Sequence, residues 1–296
     1  MQTKRQIQQL LASAGVRPNK QLGQHFLIDL NLIRLLIDSA GITADDLVLE
    51  VGCGTGSLTQ GLAERAGRVI AVELDRTLAN IARAQLAKTA NVEIINADVL
   101  ETKNTLSPAL TQALAPARQT CPGRTLLVAN LPYNIASPLM SNLVTGGIAP
   151  DAMFVTVQKE VAERMAAEPG GSDYGALSII LAATGRAKRM RILKPSVFWP
   201  RPQVDSAMVA YLRDKAKSQR IRDMAAFSEI VRLFIGHRRK TISACAKLAA
   251  GRLAAVDNWP EILDKCSIDP ASRPEQLAPE DYIAIANSCD FVGPTG

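Results

Sequence analysis

The chain has little of several residue types, and each shortage narrows the possible functions. Only two histidines and five cysteines occur in 296 residues, and no two cysteines form a C-x-x-C pair. Scattered thiols of this kind fit a reducing compartment and argue against a disulfide framework or a zinc site. We therefore expect a cytoplasmic protein without a structural metal.

Long hydrophobic runs are also missing. No apolar run approaches the roughly 20 residues that a membrane-spanning helix needs. The first ten residues, MQTKRQIQQL, lack the apolar core of a secretory signal. Hydrophobic residues make up 47% of the chain, enough for a packed core. We expect a monomer that does not contact membranes.

Acidic residues are absent from one stretch that is rich in cations. Residues 184–201 contain six Lys or Arg and no acid, and residues 213–251 contain ten against three acids. The tail, 252–296, reverses to three basic against eight acidic residues. Cations concentrated in this way favour binding to the phosphates of a polyanion. The alternative is an ordinary solvated helix face.

Short apolar runs alternate with amphipathic stretches from residue 47 onward. The pattern predicts strands over 47–52, 68–74, 92–98, 125–130, 152–158 and 206–212, most of them separated by helices. Such alternation predicts an α/β fold with a Rossmann-like parallel sheet covered by helices on both faces. We interpret the proline-containing segment 103–124 as a surface excursion between two strands.

Helical spacing replaces the strand pattern after residue 213. The spacing predicts helices over 3–14, from Asp29 onward, and over 224–236, 241–255 and 281–288. These patterns divide the chain into an N-terminal segment (1–40), an α/β domain (41–212) and a small C-terminal all-α domain (213–296).

The segment LVLEVGCGTG ends a predicted strand and begins a helix. Its glycines, Gly52, Gly54 and Gly56, permit a tight turn and the close approach of a ligand. Ser57 stands where a nicotinamide-binding turn has its third glycine. The G-x-G-x-G spacing therefore favours S-adenosyl-L-methionine over a dinucleotide.

Two carboxylates follow the glycine loop at the ends of the next predicted strands. Glu73 lies 21 residues after Gly52, where a carboxylate can accept hydrogen bonds from both ribose hydroxyls of the cofactor. Asp98 can accept one from the amino group of the cofactor's adenine. Each alone could be a strand-end or helix-capping carboxylate. In this order after the loop, they predict a cofactor site.

The tetrapeptide Asn130-Leu131-Pro132-Tyr133 ends the fourth predicted strand. Ligands of open α/β sheets bind beyond the carboxyl ends of the strands, so we expect the tetrapeptide to face the same crevice. The Asn130 side chain and the Leu131 carbonyl, aimed by Pro132, can accept hydrogen bonds from an exocyclic adenine amine. Tyr133 can stack on the base. The alternative is a proline turn with a core tyrosine.

The motifs of the chain resemble, in order and over nearly its whole length, those of the ribosomal RNA adenine dimethyltransferase family. The matching segments are LGQHFLID (22–29), the glycine loop, VELD (72–75), NLPY (130–133), QKEVAERM (158–165), YGALS (174–178), FWPRPQVDSA (198–207) and RRKT (238–241). The resemblance implies an S-adenosyl-L-methionine-dependent enzyme. Its expected substrate is the N6 amines of two adjacent adenosines in a hairpin near the 3′ end of small-subunit ribosomal RNA.

The same resemblance assigns roles to individual residues. The implied cofactor contacts are His25, Leu27, Gly52, Glu73, Asp98 and Asn130. His25 stands where the family often has asparagine. The basic stretches would then follow the RNA backbone within a pre-ribosomal particle. Phe198 and Trp199 either stack on a base or pack, and we favour packing.

Several related activities fit parts of this pattern. The related antibiotic-resistance methyltransferases modify large-subunit RNA, although WPRPQVDS and RRKT favour the small-subunit group. A DNA adenine methyltransferase usually carries a base-reading domain, for which the sequence gives no sign. The glycine loop and NLPY argue for catalysis rather than for an assembly factor that mainly binds. The N terminus lacks the transit-like composition of a mitochondrial transcription factor derived from the family.

Overall fold

The protein is described from a computed structural model that covers residues 1–19 and 22–289. The chain divides into two compact units. Among the described residues, unit 1 contains 1–19, 22–143, 147–162 and 188–212, and unit 2 contains 144–146, 163–187 and 213–289. In the described residues, no helix is both long and apolar enough to cross a membrane.

Strands occur along most of unit 1. They are β1 (Phe26–Leu27), β2 (Leu47–Val51), β3 (Arg68–Glu73), β4 (Val92–Asn96), β5 (Leu100–Thr102), β6 (Thr105–Leu106), β7 (Thr125–Asn130), β8 (Ala152–Gln158), β9 (Gly185–Leu193), β10 (Phe198–Trp199) and β11 (Ser206–Arg213). Seven form one sheet in the order β4-β3-β2-β7-β8-β11-β9. In this order, each neighbouring pair of strands from β4 to β8 is parallel, whereas β11 pairs antiparallel with β8.

Helices connect the strands and make up most of unit 2. The α-helices are α1 (Lys4–Ser13), α2 (Leu30–Ala40), α3 (Ser57–Ala63), α4 (Arg76–Gln85), α5 (Pro108–Thr120), α6 (Ala136–Thr145), α7 (Lys159–Met165), α8 (Ala176–Thr184), α9 (Lys215–Gln219), α10 (Met224–Gly236), α11 (Ile242–Ala246), α12 (Trp259–Lys265) and α13 (Pro279–Ser288). Side-chain oxygens cap several N termini, among them Asp29 on α2 and Asp75 on α4.

Most predicted elements are confirmed, with boundaries shifted by a few residues. The predicted helix over 241–255 is wrong in its middle part. There α11 ends at Ala246, and a short 3₁₀ turn spans Gly251–Ala255. Gly251 has φ +58°, a left-handed conformation that an α-helix cannot contain.

The segment predicted as an excursion between two strands, 103–124, contains strand β6 and the ordered helix α5 and leads to β7. Pro108 stands in the first turn of that helix, where its missing N–H costs nothing, and the Ser107 hydroxyl caps the N terminus. Leu110 and Leu114 are buried. Pro108 therefore marks a helix start, whereas Pro116 lies inside the helix and Pro122 follows it.

Strand β9 was not predicted. It lies at an edge of the sheet, and exposed cations stand at Arg186, Lys188, Arg189 and Arg191 along it. Edge strands carry charges that block further pairing, so they lack the apolar alternation by which a strand is usually identified.

The central parallel strands have apolar sequences because both faces of the sheet are covered. Every residue of β2 is buried, including Glu50, the single charged side chain in that strand. Gly52 directly follows β2, and Glu73 and Asn130 are the last residues of β3 and β7. The fold thus collects polar residues from distant parts of the sequence at one edge of the sheet.

Unit 2 has its own core of aromatic side chains. Tyr174 and Tyr282 are buried, and their hydroxyls donate to the carbonyls of Leu277 at 2.9 Å and Pro274 at 2.7 Å. The rings of Phe234 and Trp259 lie 5.9 Å apart. Because both phenols donate to backbone carbonyls, burying them leaves no hydroxyl without a partner.

Candidate active site

A cavity lies beyond the carboxyl ends of β2, β3, β4 and β7 in unit 1. It holds about 1180 Å³ of space, part of it open to solvent. All of the site residues predicted from the sequence line it: His25, Leu27, Gly52, Glu73, Asp98, Asn130, Leu131, Pro132 and Tyr133. The structure brings these residues together, while their individual roles stay predictions.

One side of the cavity, here named the glycine-loop wall, consists of Gly52, Gly54, Glu73 and Asp98. The two glycines have φ +76° and +58°. A Cβ on Gly54 would lie 2.9 Å from a ring atom of Phe26. A Cβ on Gly52 would lie 3.0 Å from the Pro132 ring. Both conformation and space therefore require glycine at these positions.

Glu73 is buried at the end of β3 and is held by the backbone around it. Its Oε2 accepts a hydrogen bond from the Gly54 N–H at 2.8 Å, and its Oε1 accepts one from the Asp75 N–H at 2.9 Å. Burial raises the pKa of Glu73 above its usual value, although these two N–H groups oppose the rise. Each carboxylate oxygen has a second lone pair, so Glu73 can still accept two donors from a ligand.

Asp98 is exposed at the rim of the same wall. Its Oδ1 accepts a hydrogen bond from the Leu100 N–H at 2.9 Å, a contact that orients the carboxylate. Its capacity to accept from a ligand donor is consistent with the predicted contact to an adenine amino group.

Glu50 also lines the cavity and was not predicted. Burial, supplemented by the nearby charge of Glu73, raises the pKa of Glu50 to about 8. In the described part of the chain its Oε2 has no hydrogen-bond partner. The available signal was a carboxylate inside an otherwise apolar strand, a combination that is rare without a partner or a function.

The second side of the cavity, here named the tetrapeptide wall, consists of residues 130–133 and His25. The Asn130 Nδ2 donates to the His25 carbonyl at 2.8 Å, and the Asn130 Oδ1 accepts from the Thr156 hydroxyl. The Leu131 N–H donates to the Thr156 carbonyl at 3.1 Å. The amide of Asn130 is therefore fixed at both ends, and its oxygen retains one lone pair.

Tyr133 is anchored by its hydroxyl, which lies 2.6 Å from the Ser206 Oγ. Its ring stacks on the His25 ring, with centroids 5.4 Å apart and an interplanar angle of 27°. Burial raises the pKa of Tyr133, so the phenol stays neutral at physiological pH. One face of the Tyr133 ring is thus packed against the His25 ring.

Thr156 and Ser206 support the tetrapeptide wall, yet neither was predicted. Both side chains are buried in strands of the sheet. Thr156 lies within the apolar run AMFVTVQ, and Ser206 begins SAMVAYLR. A hydroxyl in a buried strand is the only sequence signal for either, and it does not reveal the partner.

The N-terminal segment is attached to strand β10 by short pairing. Strands β1 and β10 pair antiparallel, with Phe26 opposite Trp199 and Leu27 opposite Phe198. Phe198 is 1% exposed, and the Trp199 ring stacks on Phe26 with centroids 6.2 Å apart. Both aromatics therefore pack within unit 1, as the sequence analysis favoured.

No cluster of three or more histidine, cysteine, aspartate or glutamate side chains that could hold a metal ion occurs in residues 1–19 and 22–289.

Comparison with known proteins decides the family. A family model described as ribosomal RNA adenine dimethylase matches residues 15–289. The chain belongs to the ribosomal RNA adenine dimethylase family. Members of this family use S-adenosyl-L-methionine, and the sheet with its helices is the Rossmann-like class I methyltransferase fold.

Individual relatives of this dimethylase cover nearly all of the chain. The chain is 38% identical over 286 residues to ribosomal RNA small subunit methyltransferase A of Pelotomaculum thermopropionicum. The match covers 95% of each protein. A dimethyladenosine transferase structure from Plasmodium falciparum has a TM-score of 0.68 at 23% identity, over 88% of this chain and 95% of that one. The 23S rRNA methyltransferase ErmE has a TM-score of 0.55 at 24% identity, over 88% and 98%. These two structural matches show the fold alone.

The residues of the dimethylase cavity fit the cofactor. S-adenosyl-L-methionine carries an amino acid portion with a charged ammonium, a ribose with two hydroxyls, and an adenine amino group. Glu73 and Asp98 can accept hydrogen bonds from such donors, and among the described residues the Glu50 Oε2 has no hydrogen-bond partner. Gly52 and Gly54 leave the loop backbone accessible to a ligand.

Proposed function

We propose that this chain transfers methyl groups to the N6 amines of two adjacent adenosines in a hairpin near the 3′ end of small-subunit ribosomal RNA. Each adenosine would receive two methyl groups. The observation that carries the proposal is that Asn130, Leu131 and Glu73 line a single cavity. The name of the Pelotomaculum relative supports the small subunit as the source of the RNA.

The glycine-loop wall would hold the cofactor. Glu73 would accept hydrogen bonds from the ribose hydroxyls with the lone pairs that Gly54 and Asp75 leave free. Asp98 would accept from the adenine amino group, and Gly52 would allow the amino acid portion to approach the backbone. His25 and Leu27 would close the cavity from the N-terminal segment. The cofactor supplies an electrophilic methyl group on a sulfonium.

The tetrapeptide wall would prepare the nucleophile. The exocyclic amine of adenine is a poor nucleophile because its lone pair is delocalised into the ring. The Asn130 Oδ1 would accept one N–H and the Leu131 carbonyl the other, which favours a more tetrahedral nitrogen and frees the lone pair. Catalysis would then consist of positioning and electrostatic complementarity.

Tyr133 would hold the base itself. Stacking of a base on an aromatic ring contributes roughly 1–3 kcal/mol. The His25 ring covers one face of Tyr133, so the target adenine would occupy the other. An adenosine must leave its stack to reach this position. The free-energy cost of unstacking is offset in part by the contact with Tyr133.

Cations of unit 2 are proposed to contact the RNA backbone. Arg239 and Lys240 are exposed, whereas Arg238 is engaged with Glu275 at 3.6 Å. Replacing Arg239 and Lys240 with alanine should reduce the salt dependence of RNA binding by about 0.9 per lost duplex phosphate contact. An Arg238→Ala control should change the slope less, because that guanidinium already has an acidic partner. An unaltered slope in the double variant would contradict the assignment.

We further propose that the enzyme acts as a monomer in the cytoplasm, on a pre-ribosomal particle rather than on naked RNA. A hairpin alone offers little surface, whereas a particle presents phosphates over an area that scattered cations can contact. Methylation of small-subunit particles that lack the modification should exceed methylation of the isolated hairpin. Equal rates on both would contradict the need for a particle.

The experiment that tests the main proposal is methyl transfer from labelled cofactor, followed by mapping of the product. The substrates are small-subunit particles and large-subunit particles, each from cells that lack the corresponding methylation. We expect N6,N6-dimethyladenosine at two adjacent positions in the small-subunit RNA alone. Label in large-subunit RNA, as the fold of ErmE would also permit, would overturn the assignment of the substrate.

A further inference from the structure

The buried side chain of Gln2 contacts the glycine loop, which lies 53 residues away in sequence. The Gln2 Nε2 donates to the Thr55 carbonyl at 3.0 Å, and the Gln2 Oε1 accepts from the Thr55 hydroxyl at 2.6 Å. The Gln2 N–H also donates to the Ser57 Oγ at 2.8 Å. Gln2 is 7% exposed, so water competes little for these hydrogen bonds. Each described hydrogen bond of Gln2 therefore leads to the same loop.

Thr55 stands between two glycines, which makes its part of the loop conformationally permissive. Gly54 and Gly56 have φ +58° and +83°. Glu73 holds the Gly54 N–H at 2.8 Å, whereas Gln2 holds the carbonyl and the hydroxyl of Thr55. Thr55 lines the cavity. The contacts of Gln2 therefore fix a stretch of the cavity lining whose own backbone permits many conformations.

Helix α1 holds Gln2 in this position. The Thr3 side chain caps the N terminus of the helix immediately after Gln2. Ile7 and Leu11 are buried in a cluster with Leu78 of α4. Ile7 and Leu78 also line the cavity. The N-terminal helix thus contributes to the cavity itself, and its start carries Gln2 to the glycine loop.

We propose that Gln2 is a positioning residue for S-adenosyl-L-methionine and that it acts through Thr55. By holding the Thr55 carbonyl and hydroxyl, Gln2 keeps the backbone from Gly54 to Ser57 in the shape that receives the amino acid portion of the cofactor. The cofactor then meets an ordered loop, and its binding free energy is not reduced by the cost of ordering that loop. The inference rests on the function proposed for the glycine-loop wall, and it does not depend on which RNA is methylated.

The first test is calorimetric titration of the full chain with S-adenosyl-L-methionine. Gln2→Met keeps the length of the buried side chain and removes both of its hydrogen bonds to Thr55. We expect its Kd for the cofactor to rise roughly 5- to 10-fold, as the loss of one or two neutral hydrogen bonds implies. Gln9→Ala is the matched control, because Gln9 is an exposed glutamine of the same helix, and its Kd should not change.

A single-turnover assay separates positioning of the cofactor from a role in the chemistry. At saturating S-adenosyl-L-methionine and RNA, Gln2→Met should methylate at the rate of the unmodified chain, with only the KM for cofactor raised. Thermal unfolding followed by circular dichroism shows whether each variant is folded at the temperature of the titration. A lower melting temperature with an unchanged Kd would overturn the inference, because Gln2 would then serve only to attach α1.

Thr55 provides a second route to the same test, which remains available if Gln2→Met folds poorly. Thr55→Val removes the hydroxyl that donates to the Gln2 Oε1, whereas Thr55→Ser keeps a hydroxyl there. We expect valine to raise the Kd for cofactor and serine to restore it. In the double variant Gln2→Met/Thr55→Val, the rise should be smaller than the product of the two single rises, because both changes remove the same contact.

Three results would contradict the inference. They are an unchanged Kd in Gln2→Met while Glu73→Ala loses affinity, an equal Kd in Thr55→Val and Thr55→Ser, and single rises that multiply in the double variant. The first of these would leave the glycine-loop wall intact as the cofactor site. Absence of cofactor binding by the unmodified chain would instead refute the function proposed for that wall.

Discussion

The two walls of the cavity are built in different ways. In the glycine-loop wall, Glu73 is held by the N–H groups of Gly54 and Asp75, which lie 19 and 2 residues away. In the tetrapeptide wall, contacts span much longer separations. Asn130 reaches His25 across 105 residues, and Tyr133 reaches Ser206 across 73.

This difference suggests that the two walls have different functions, one in binding and one in turnover. A wall held by local backbone contacts keeps its shape whenever its strands form, as suits a binding site for a cofactor common to many enzymes. A wall held by distant side chains depends on the whole of unit 1, and it can place acceptors with the accuracy that a reacting amine needs. Changes in the first wall should therefore affect affinity, and changes in the second should affect turnover.

The largest expected effect belongs to Asn130→Ala. The change removes the acceptor that we propose acts in the transition state, and it releases the contacts to His25 and Thr156. We expect single-turnover methylation at saturating RNA and cofactor to fall by roughly 10²–10³. RNA binding, measured in parallel, should persist. Full activity would show that the tetrapeptide is only a structural turn.

A smaller and different effect is expected for Glu73→Ala. Loss of hydrogen bonds to a charged acceptor should weaken S-adenosyl-L-methionine binding by roughly 1.5–3 kcal/mol in calorimetry. Circular dichroism should show that the fold survives. The exposed carboxylate of Glu101 does not line the cavity, so Glu101→Ala is the matched control. Unchanged affinity in Glu73→Ala would refute the ribose contact.

Thr156→Val tests whether the orientation of the Asn130 amide matters. Valine keeps the volume and loses the hydroxyl that donates to the Asn130 Oδ1. One neutral hydrogen bond is worth about 1 kcal/mol, so we expect turnover to fall about 5–10-fold with the KM for cofactor unchanged. Thr156→Ser should restore the rate. If serine were as slow as valine, packing rather than orientation would explain the loss.

The last effect concerns the stability of the fold rather than affinity or turnover, and it depends on Glu50. Burial raises the pKa of Glu50 from its usual 4.5 to about 8, so the folded state binds the extra proton between these pH values. The free energy of unfolding should therefore decrease as pH rises through this window, by at most about 1.4 kcal/mol per pH unit. Glu50→Gln should lack that contribution in urea denaturation. Identical pH dependence in both proteins would contradict a buried, neutral Glu50.

Much of the glycine-loop wall could be predicted from the sequence. Gly52 and Glu73 lie at strand ends, and strand ends follow from hydrophobic pattern. The tetrapeptide could be predicted as a site for the same reason. The residues that support the tetrapeptide could not be predicted, because the sequence does not show which group a hydroxyl such as that of Thr156 or Ser206 contacts. The pairing of His25 with Pro200, 175 residues apart, likewise follows from the tertiary fold.

The fold shows the same limit. Strand β9 was missed because an edge strand carries charges, and helix α5 was not predicted either, although Pro108 stands in its first turn. Both errors concern residues whose meaning depends on position in the tertiary structure.

The proposed difference in function between the two walls is tested most directly by comparing Glu73→Ala and Asn130→Ala. Both variants are measured in one single-turnover assay over rising cofactor concentration. At low cofactor both variants should be slow. At saturation, Glu73→Ala should recover most of the original rate, whereas Asn130→Ala should remain slower by roughly 10²–10³. Recovery of Asn130→Ala by cofactor alone would contradict a tetrapeptide wall that acts on the adenine amine.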